Sequence, residues 1–505
     1  MLALPDGRAF RCSKPRRRGL PGIRLLASLS FSLRNKLGAP AGYGRAMQSD
    51  FGSDVHFAAD SDDLTRAHWN PARETMPAER MQQLQLEKLR AQLLYLEQHS
   101  LLYQRKFGAA GFRAQDLRTI EDLGQLPFTT KAELREGQES HPPFGLHQGA
   151  ADAQVIRTTA TSGTTGKPVF QAYTRQDALL RSESIARALW SFGVRPGDRV
   201  VNGFALSMFN AGVPLCAAIE HLGANSVPVG AEKRAEGMLR MMKEIRATAW
   251  IGTPSFIAYL TEKCREVLGM EPSDLGVRVI CGGGESGFEL PEFRRKIESA
   301  WGTPHVYDLA SSSDAQPNNF SHCHRRDGKH QTTPDMALVQ LVEPESGRLL
   351  PLQDSAQGEY IFTHLSRQAC GLVRYRSGDV IKVRVGECEC GRTGFRMDIV
   401  GRTDDMLIVR GVNVYPSAVH AVVNQFPQAF EGPMQIVLAA KGPRVEPPLR
   451  VRVETREGAG ELEAARSAFE RCCREQLNVR LEAELVPAGT IARTEAKTRL
   501  IVVES

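Results

Sequence analysis

The sequence predicts an α/β protein in which a large N-terminal α/β domain is followed by a small α+β domain. Up to about residue 335, buried-strand runs such as 250–254 and 277–284 alternate with helical patterns, which is typical of parallel sheets covered by helices. Beyond that point, shorter runs such as 359–363 and 380–383 indicate antiparallel strands. After residue 403 the pattern is that of a separate unit of about 100 residues, a usual domain size.

Local signals predict two helices in the first part of the chain. Leu86, Leu89, Leu93 and Leu96 recur at spacings of three and four, so they form one apolar helix face. The run 130–133, Thr-Lys-Ala-Glu, matches a capping box, in which the first and last side chains each bond to the other residue's backbone amide. A second helix is therefore predicted to begin there.

The composition is that of an ordinary globular protein and excludes several other classes. The chain has 505 residues, of which 42% are hydrophobic and 24% are charged. No run approaches the roughly 20 apolar residues that a membrane span needs. The ten cysteines are scattered along a long chain, unlike those of a secreted disulfide scaffold, which indicates reduced thiols in the cytoplasm.

The positive net charge is local to the N-terminus. Residues 1–46 contain ten Lys or Arg and one acid, so their charge is +9 against a total of +6, and the remainder carries −3. A mildly acidic body gives no case for nucleic-acid binding. The basic segment can be a targeting peptide, an arm that touches anionic surfaces, or the result of a start codon assigned too early, with translation beginning at Met47. We therefore expect a tail and irregular lead-in at 1–76, the large domain at 77–403 and the small domain at 404–505.

The stretch 161–168 carries a strong signal for phosphate binding. Its two glycines allow positive φ, so that consecutive amides can face one anion, and its hydroxyls and lysine add donors for several phosphate oxygens. It differs from the Walker A loop, because a threonine stands first and a proline follows the lysine. The alternative is a surface turn rich in small residues. The residues of this predicted phosphate loop are Ser162, Gly163, Thr164, Thr165, Gly166 and Lys167.

Five motifs follow one another in a defined order, at 161–168, 307–311, 374–379, 401–416 and 489–497. Together with the segment 126–131, they resemble the phenylacetate–CoA ligase family of the adenylate-forming superfamily, and the resemblance covers about residues 80–505. An ordered set of five motifs is far more specific than any single loop.

The resemblance implies a reaction, its small molecules and a mobile C-terminal domain. The expected reaction is the ATP-dependent ligation of a carboxylic acid, phenylacetate or another aryl acid, to CoA through an acyl-adenylate, with release of AMP and pyrophosphate. ATP, Mg²⁺ and CoA are the expected ligands of a cytoplasmic enzyme, which could form a homodimer. Two alternatives stay open, namely delivery of the acyl group to a carrier protein and a degenerate nucleotide-binding homologue.

The family's roles carry over to individual residues where the motifs match. Lys497 would bridge the substrate carboxylate and the α-phosphate as a compact cation, whereas its default interpretation is a solvated surface lysine. Asp379 would accept from the ribose hydroxyls, with a turn-capping aspartate as the alternative. Tyr307 would stack on adenine, with a core tyrosine as the alternative.

Further residues are assigned with the same resemblance. Gly284 and Glu285 would belong to the turn that lines the adenine and acyl sites, although a plain strand-to-helix turn explains them equally well. Arg402 would hold the nucleotide, and Asp404 would be the hinge that absorbs a large change in φ and ψ when the small domain rotates. An interdomain salt bridge is the alternative for this pair.

The sequence departs from the family at the tyrosine motif and in the acyl-binding segment. Ser311 stands where the family has a glutamate that helps to hold magnesium, and Asp314 could replace that charge. Asp308 replaces a glycine and adds a carboxylate near the adenine, and Ala496 replaces the glycine before Lys497. The segment 204–212 falls at the family's acyl pocket, where the apolar candidates are Phe204, Met208 and Phe209.

Cysteines and histidines suggest a zinc site outside these motifs. Cys388 and Cys390 flank one residue in a turn, and Cys323 and His330 lie upstream, with two more histidines nearby. Four Cys and His ligands would close a tetrahedral structural zinc site, and some members of the family have similar residues. The alternative is a set of ordinary thiols.

Overall fold

The computed structural model describes residues 55–56, 64–161, 167–410, 412–440, 442–491 and 500–504. The protein is α/β, with one large sheet and three small ones formed by the described residues, as the sequence predicts. No helix in these ranges is both long and apolar enough to cross a bilayer.

The N-terminal helices confirm both local predictions. They are α1 (Pro71–Glu74), α2 (Ala78–His99), α3 (Leu101–Ala110) and α4 (Lys131–Ser140), with 3-10 turns at Ala114–Asp116, Glu121–Gln125 and Asp152–Gln154. The leucine pattern lies on α2, where it is largely buried. Helix α4 begins at the predicted capping box, since Thr130 Oγ1 accepts from the Glu133 amide at 3.3 Å and the Glu133 carboxylate accepts from the Thr130 amide at 2.7 Å.

A hairpin and a parallel sheet follow along the chain. The antiparallel hairpin of β1 (Val155–Ala160) and β2 (Phe170–Thr174) frames the predicted phosphate loop. The next elements are α5 (Arg175–Ser191), β3 (Arg199–Asn202), α6 (Val213–Leu222), β4 (Asn225–Val227), a 3-10 turn (Ala231–Lys233), α7 (Arg234–Glu244), β5 (Ala249–Gly252), α8 (Pro254–Leu268), a 3-10 turn (Pro272–Leu275), β6 (Val279–Gly283), α9 (Pro291–Trp301) and β7 (Val306–Ala310). Strands β7, β6, β5, β3 and β4 are parallel neighbours in that order.

The same sheet continues in antiparallel fashion beyond β7. Its further strands are β8 (Phe320–Ser321), β9 (Lys329–Gln331), β10 (Ala337–Val342), β11 (Leu349–Leu350), β12 (Gln357–His364), β13 (Tyr375–Arg384) and β14 (Arg396–Arg402). They stand in the order β11-β10-β12-β13-β14-β9-β8-β7. The predicted antiparallel strands are confirmed, because β12 pairs with β13 in this way.

The C-terminal part has its own sheets and its own core. Its elements are β15 (Leu407–Val409), β16 (Val412–Val414), α10 (Pro416–Val423), β17 (Phe430–Leu438), β18 (Arg444–Val445), β19 (Leu449–Thr455), α11 (Leu462–Leu477), β20 (Leu481–Val486) and β21 (Ile501–Val503). The buried side chains of this core all come from residues 407–483. The domain limits at 76/77 and 403/404 stay predictions.

Residues 64–76 are more ordered than the predicted irregular lead-in. Trp69 is fully buried against Trp190, and its indole N–H donates to Glu183 at 2.8 Å. Glu74 in α1 forms a buried ion pair with Arg392 at 2.6 Å. This segment therefore packs against the same body as the sheet.

A buried ionic network joins this segment to α5 and to the loop before β10. Arg187 donates to Glu183 at 2.9 Å and to Asp335 at 2.6 Å, and all three side chains are completely buried. Because charges leave water at a high cost, such a network persists only when every member is paired. Arg187 thus ties together parts of the chain that are more than 100 residues apart.

Replacement of Arg187 by Met should destabilise the protein by about 3–5 kcal/mol, because the buried carboxylates of Glu183 and Asp335 would lose the arginine that compensates their charge. Urea unfolding followed by circular dichroism measures this change. The matched control is Arg240→Met in α7, which breaks an exposed pair with Glu236 at the same i,i+4 spacing and should cost less than about 1 kcal/mol. Equal losses of stability in the two variants would contradict the stabilising role of the buried Arg187 network.

Candidate active site

The predicted site gathers where the strands of the sheet end. After β6, Gly284 has φ +85 and Glu285 accepts a hydrogen bond from the Ser255 amide at 2.8 Å. Gly283 leaves no room for a side chain, since a Cβ there would lie 2.7 Å from the Leu309 carbonyl oxygen. The side chain of Phe204 lies beside Gly284, 3.7 Å from where a Cβ would be. The turn thus has no room for a side chain at Gly283, and the ring of Phe204 lies beside it.

The ring of Tyr307, which is expected to stack on adenine, is packed inside the protein in this structure. The ring is buried and lies parallel to Phe192, with centroids 5.1 Å apart and an interplanar angle of 10°. The guanidinium of Arg326 lies 5.8 Å from the ring centroid. Because β7 alternates its side chains between the two faces of the sheet, Tyr307 packs under α5 as a core residue.

Asp308, which the sequence places near the adenine, is buried inside the protein. Its carboxylate forms a buried ion pair with Lys329 Nζ at 2.8 Å. Burial raises the pKa of Asp308 to about 7, against the opposing charge of Lys329 and with the help of Glu289. The Asp308 amide donates to His322 Nδ1 at 3.1 Å. The residue that replaces the family's glycine therefore links β7 to β9.

The carboxylate of Asp314, which the sequence suggested as a replacement for the missing glutamate, already has donors. It accepts from Gln171 at 3.0 Å and from the Tyr375 hydroxyl at 3.0 Å, and Lys131 lies 3.5 Å away. Ser311 donates to the Asn318 carbonyl at 2.8 Å and accepts from Gln316 at 2.6 Å. These two side chains do not fit a magnesium ion as they stand.

Asp379, Arg402 and Asp404 meet at the end of the large sheet. Asp379 and Arg402 face each other across β13 and β14, and their side chains pair at 2.6 Å. Arg402 also donates to both carboxylate oxygens of Asp404, at 2.7 and 3.1 Å. Burial opposes the charge of Arg402, but the two aspartates raise the pKa of the guanidinium above its usual value. One arginine thus holds the predicted ribose ligand and the predicted hinge.

Several predicted residues lie outside the described ranges. They are Ser162, Gly163, Thr164, Thr165, Gly166 and Lys497. Both flanks of the phosphate loop are described, and the Thr161 amide donates to the Val169 carbonyl at 3.0 Å. Lys167 forms an exposed ion pair with Glu139 at 3.0 Å.

The acyl segment 204–212 rests on the strand that enters the phosphate loop. The Ala160 amide donates to the Met208 carbonyl at 2.9 Å. Phe204 is half-buried, whereas Met208 and Phe209 are 48% and 41% exposed. The described structure therefore gathers Phe204 with Gly284, but it leaves the other two predicted pocket residues open to solvent.

Asn210 anchors this segment and was not singled out from the sequence. Its side chain accepts from the Tyr173 hydroxyl at 2.9 Å and donates to Thr159 Oγ1 at 3.2 Å, and its carbonyl accepts from Arg181 at 2.7 Å. Nothing in the local sequence marks these partners, because they come from three different elements. Lys329 was missed for the same reason, although it precedes the predicted ligand His330.

The four predicted metal ligands come together. Cys323, His330, Cys388 and Cys390 place their ligand atoms within 4.8 Å of one another. The sulfurs of Cys323 and Cys388 are 3.8 Å apart, and Cys390 Sγ is 3.5 Å from His330 Nε2. A tetrahedral site with Zn–S bonds of about 2.3 Å and Zn–N bonds of about 2.0 Å requires separations of about 3.8 and 3.5 Å. The donor set and its dimensions therefore fit zinc.

Known proteins resemble this chain along most of its length. Residues 411–504 match the family described as AMP-binding enzyme C-terminal domain. A phenylacetate–coenzyme A ligase of Thermus thermophilus is 33% identical over 444 residues, which cover 85% of this chain and 97% of the relative.

Solved structures resemble the fold as well. A 2-hydroxyisobutyryl-CoA ligase in the postadenylation state, in complex with 2-HIB-AMP, has a TM-score of 0.82 at 30% identity, covering 90% of this chain and 96% of that one. The same ligase with 2-HIB-AMP and CoA in the thioesterification state has a TM-score of 0.65 at 31% identity, covering 89% and 97%. Of these two states of one protein, the postadenylation state has the higher TM-score. Identity, coverage and fold agree, and the chain belongs to the phenylacetate–CoA ligase family of adenylate-forming enzymes.

Proposed function

We propose that this protein joins an aryl or arylacetic acid to CoA through an acyl-adenylate, with release of AMP and pyrophosphate. The observation that carries the proposal is the Asp379–Arg402–Asp404 junction, which lies between the large sheet and the C-terminal unit. Asp379 would bind the nucleotide, and Asp404 beside it would be the hinge. Rotation about this hinge would allow one site to carry out two half-reactions in turn. Family membership supports the same chemistry.

The roles of individual residues follow from their chemistry. Asp379 would accept from the ribose hydroxyls, and the phosphate-loop amides and hydroxyls would bind the ATP phosphates. The acid's carboxylate would attack the α-phosphorus, and pyrophosphate would leave. Lys497 would stabilise the charge that gathers between the two anions. Magnesium is expected to accompany ATP, but Ser311 and Asp314 do not fit it, so no protein ligand for magnesium is assigned.

Replacement of Lys497 by Ala should slow adenylation by about 100–1,000-fold, the usual loss when one transition-state donor is removed. Pyrophosphate exchange measures this half-reaction. Conversion of synthetic acyl-adenylate to the thioester should fall much less. Lys296→Ala, at an exposed position of α9, is the control and should leave both rates unchanged. Equal losses in both half-reactions of Lys497→Ala would remove the proposed role.

The proposed substrate class rests on the relative's name and on the acyl segment. Phe204 beside the Gly284 turn provides an apolar wall, which suits a flat hydrophobic acid. The exposure of Met208 and Phe209 favours a second candidate, a small hydroxy acid, because an aryl ring would gain less enclosure. The 2-hydroxyisobutyryl-CoA ligase supports this second candidate.

In a screen of acids with ATP and CoA, arylacetates or benzoates should exceed short alkanoates by about tenfold or more in kcat/KM, since misfits in an apolar pocket each cost about 1–3 kcal/mol. Preference for a short hydroxy acid would select the second candidate. Acyl-adenylate without transfer to CoA would favour a carrier-protein acceptor. If no acid supports pyrophosphate exchange at any magnesium concentration, the protein is a nucleotide-binding homologue.

We also propose a structural zinc ion on Cys323, His330, Cys388 and Cys390. The two pairs of ligands come from different hairpins of the sheet, so the ion would fix the β8–β9 segment to the β13–β14 turn. A closed site with four protein ligands is structural in type. Its loss should therefore affect folding before it affects chemistry.

Protein purified without added metal should contain about one zinc per chain by elemental analysis, as a closed site requires. Cys388→Ser should lower the zinc content and the melting temperature. Cys472→Ser, in α11 of the C-terminal unit, is the matched control and should keep the zinc. Metal-free protein of full thermal stability would rule out this site.

A further inference from the structure

Arg181 is a charged side chain buried beneath the acyl segment. It lies in the second turn of α5 and is only 2% exposed. A guanidinium remains charged inside a protein and carries five N–H donors. Its burial therefore requires acceptors and a compensating negative charge.

The acceptors that Arg181 finds are too few for its donors. Nη2 donates to the Asn210 carbonyl at 2.7 Å. The Nε and Nη1 atoms are out of contact with solvent, and neither donates to an acceptor within the described part of the chain. Two of the three guanidinium nitrogens thus have no hydrogen-bond acceptor among the described residues.

The charge of Arg181 is equally uncompensated. None of the described carboxylates forms an ion pair with it, and the charges of Arg157 and Arg367 act against it. Burial, the largest effect, lowers the pKa of Arg181 to about 10 together with these two cations. The nearby acid Asp177 is committed elsewhere, since it accepts from the amides of Gln368 and Ala369.

The position of Arg181 connects it to the acyl site. Asn210, whose carbonyl it holds, directly follows Met208 and Phe209 in the predicted acyl segment. The ring of Tyr173 joins the same group through its hydrogen bond to Asn210 at 2.9 Å. Cys216, in the first turns of α6, also lies near Arg181. The cation therefore lies at the inner side of the acyl segment.

We propose that Arg181 determines substrate specificity by receiving an anionic group on the acyl substrate, at the end remote from the carboxylate that is activated. The preferred acids would then carry a second acidic group. A carboxylate at the end of the guanidinium would accept from Nη1 and from the second N–H of Nη2, and it would supply the missing charge. This inference rests on the proposed acid–CoA ligation and narrows its substrate class.

The test compares matched acids with and without the second carboxylate. Phenylacetate and its three ring-carboxylated isomers, benzoate and its three dicarboxylic counterparts, and butyrate with succinate form the pairs. Pyrophosphate exchange and CoA-thioester formation give kcat/KM for each acid with the wild type, Arg181→Met, Arg181→Lys and Arg175→Met. Arg175 begins the same helix but is exposed, so it serves as the charge-matched control.

The wild type and Arg175→Met should prefer at least one diacid over its monoacid partner by about tenfold or more, because a buried unpaired donor penalises the analogue that lacks the acceptor. Arg181→Met should reverse this preference mainly through KM, and Arg181→Lys should keep part of it. If Arg181→Met does not fold, the diacid-to-monoacid ratios of kcat/KM for the wild type and for Arg181→Lys still test the inference.

The inference is overturned if wild-type protein turns over monoacids at least as well as every diacid. It is also overturned if chloride or inorganic phosphate raises the melting temperature of the wild type, but not of Arg181→Lys, while no diacid is preferred, because the occupant is then an inorganic anion. In both cases active ligation of monoacids leaves the proposed function intact. Absence of exchange with every acid defeats the proposed function itself.

Discussion

Few main-chain hydrogen bonds join the parallel half of the large sheet to its antiparallel half. β8 and β9 have two and three residues, and β14 meets β9 at only two residue pairs, Arg396 with His330 and Met397 with Lys329. Side-chain contacts must therefore hold the two halves together where main-chain hydrogen bonds are few. The four Cys and His ligands bracket this joint, and the buried ion pair of Lys329 with β7 lies beside it. The rigidity of this joint therefore determines the alignment of the two halves. The parallel half carries the tyrosine motif, and the antiparallel half carries Asp379.

Asp308 and Arg181 are two buried charges that the described residues compensate to different extents. Asp308, in the place of a glycine, forms a buried ion pair with Lys329. Arg181 has no such counterpart among the described side chains. The charge of Asp308 is thus paired within the protein, whereas none of the described carboxylates pairs with Arg181.

The sequence predicted those features that depend on order and on local pattern. The leucine face of α2, the capping box at Thr130 and the change from parallel to antiparallel strands could all be read within short windows, and the structure confirms them. The Cys and His cluster could be named because each ligand type is chemically distinctive. The burial of Tyr307 and the partners of Asp308 and Asp314 could not, since they depend on which face of a strand meets which helix. Arg181 looks like any arginine in an amphipathic helix until the fold buries it.

The network around Arg187 has a consequence for how the chain is made. On the ribosome, Glu183 and Arg187 emerge within the same turn of α5, but Asp335 follows 148 residues later. Until then the arginine has only part of its charge neutralised, and α5 cannot be sealed into the interior at that end without isolating a cation. The parallel strands β3 to β7 are all synthesised during this interval. The buried ionic network can therefore be completed only after this whole parallel half of the sheet has been synthesised.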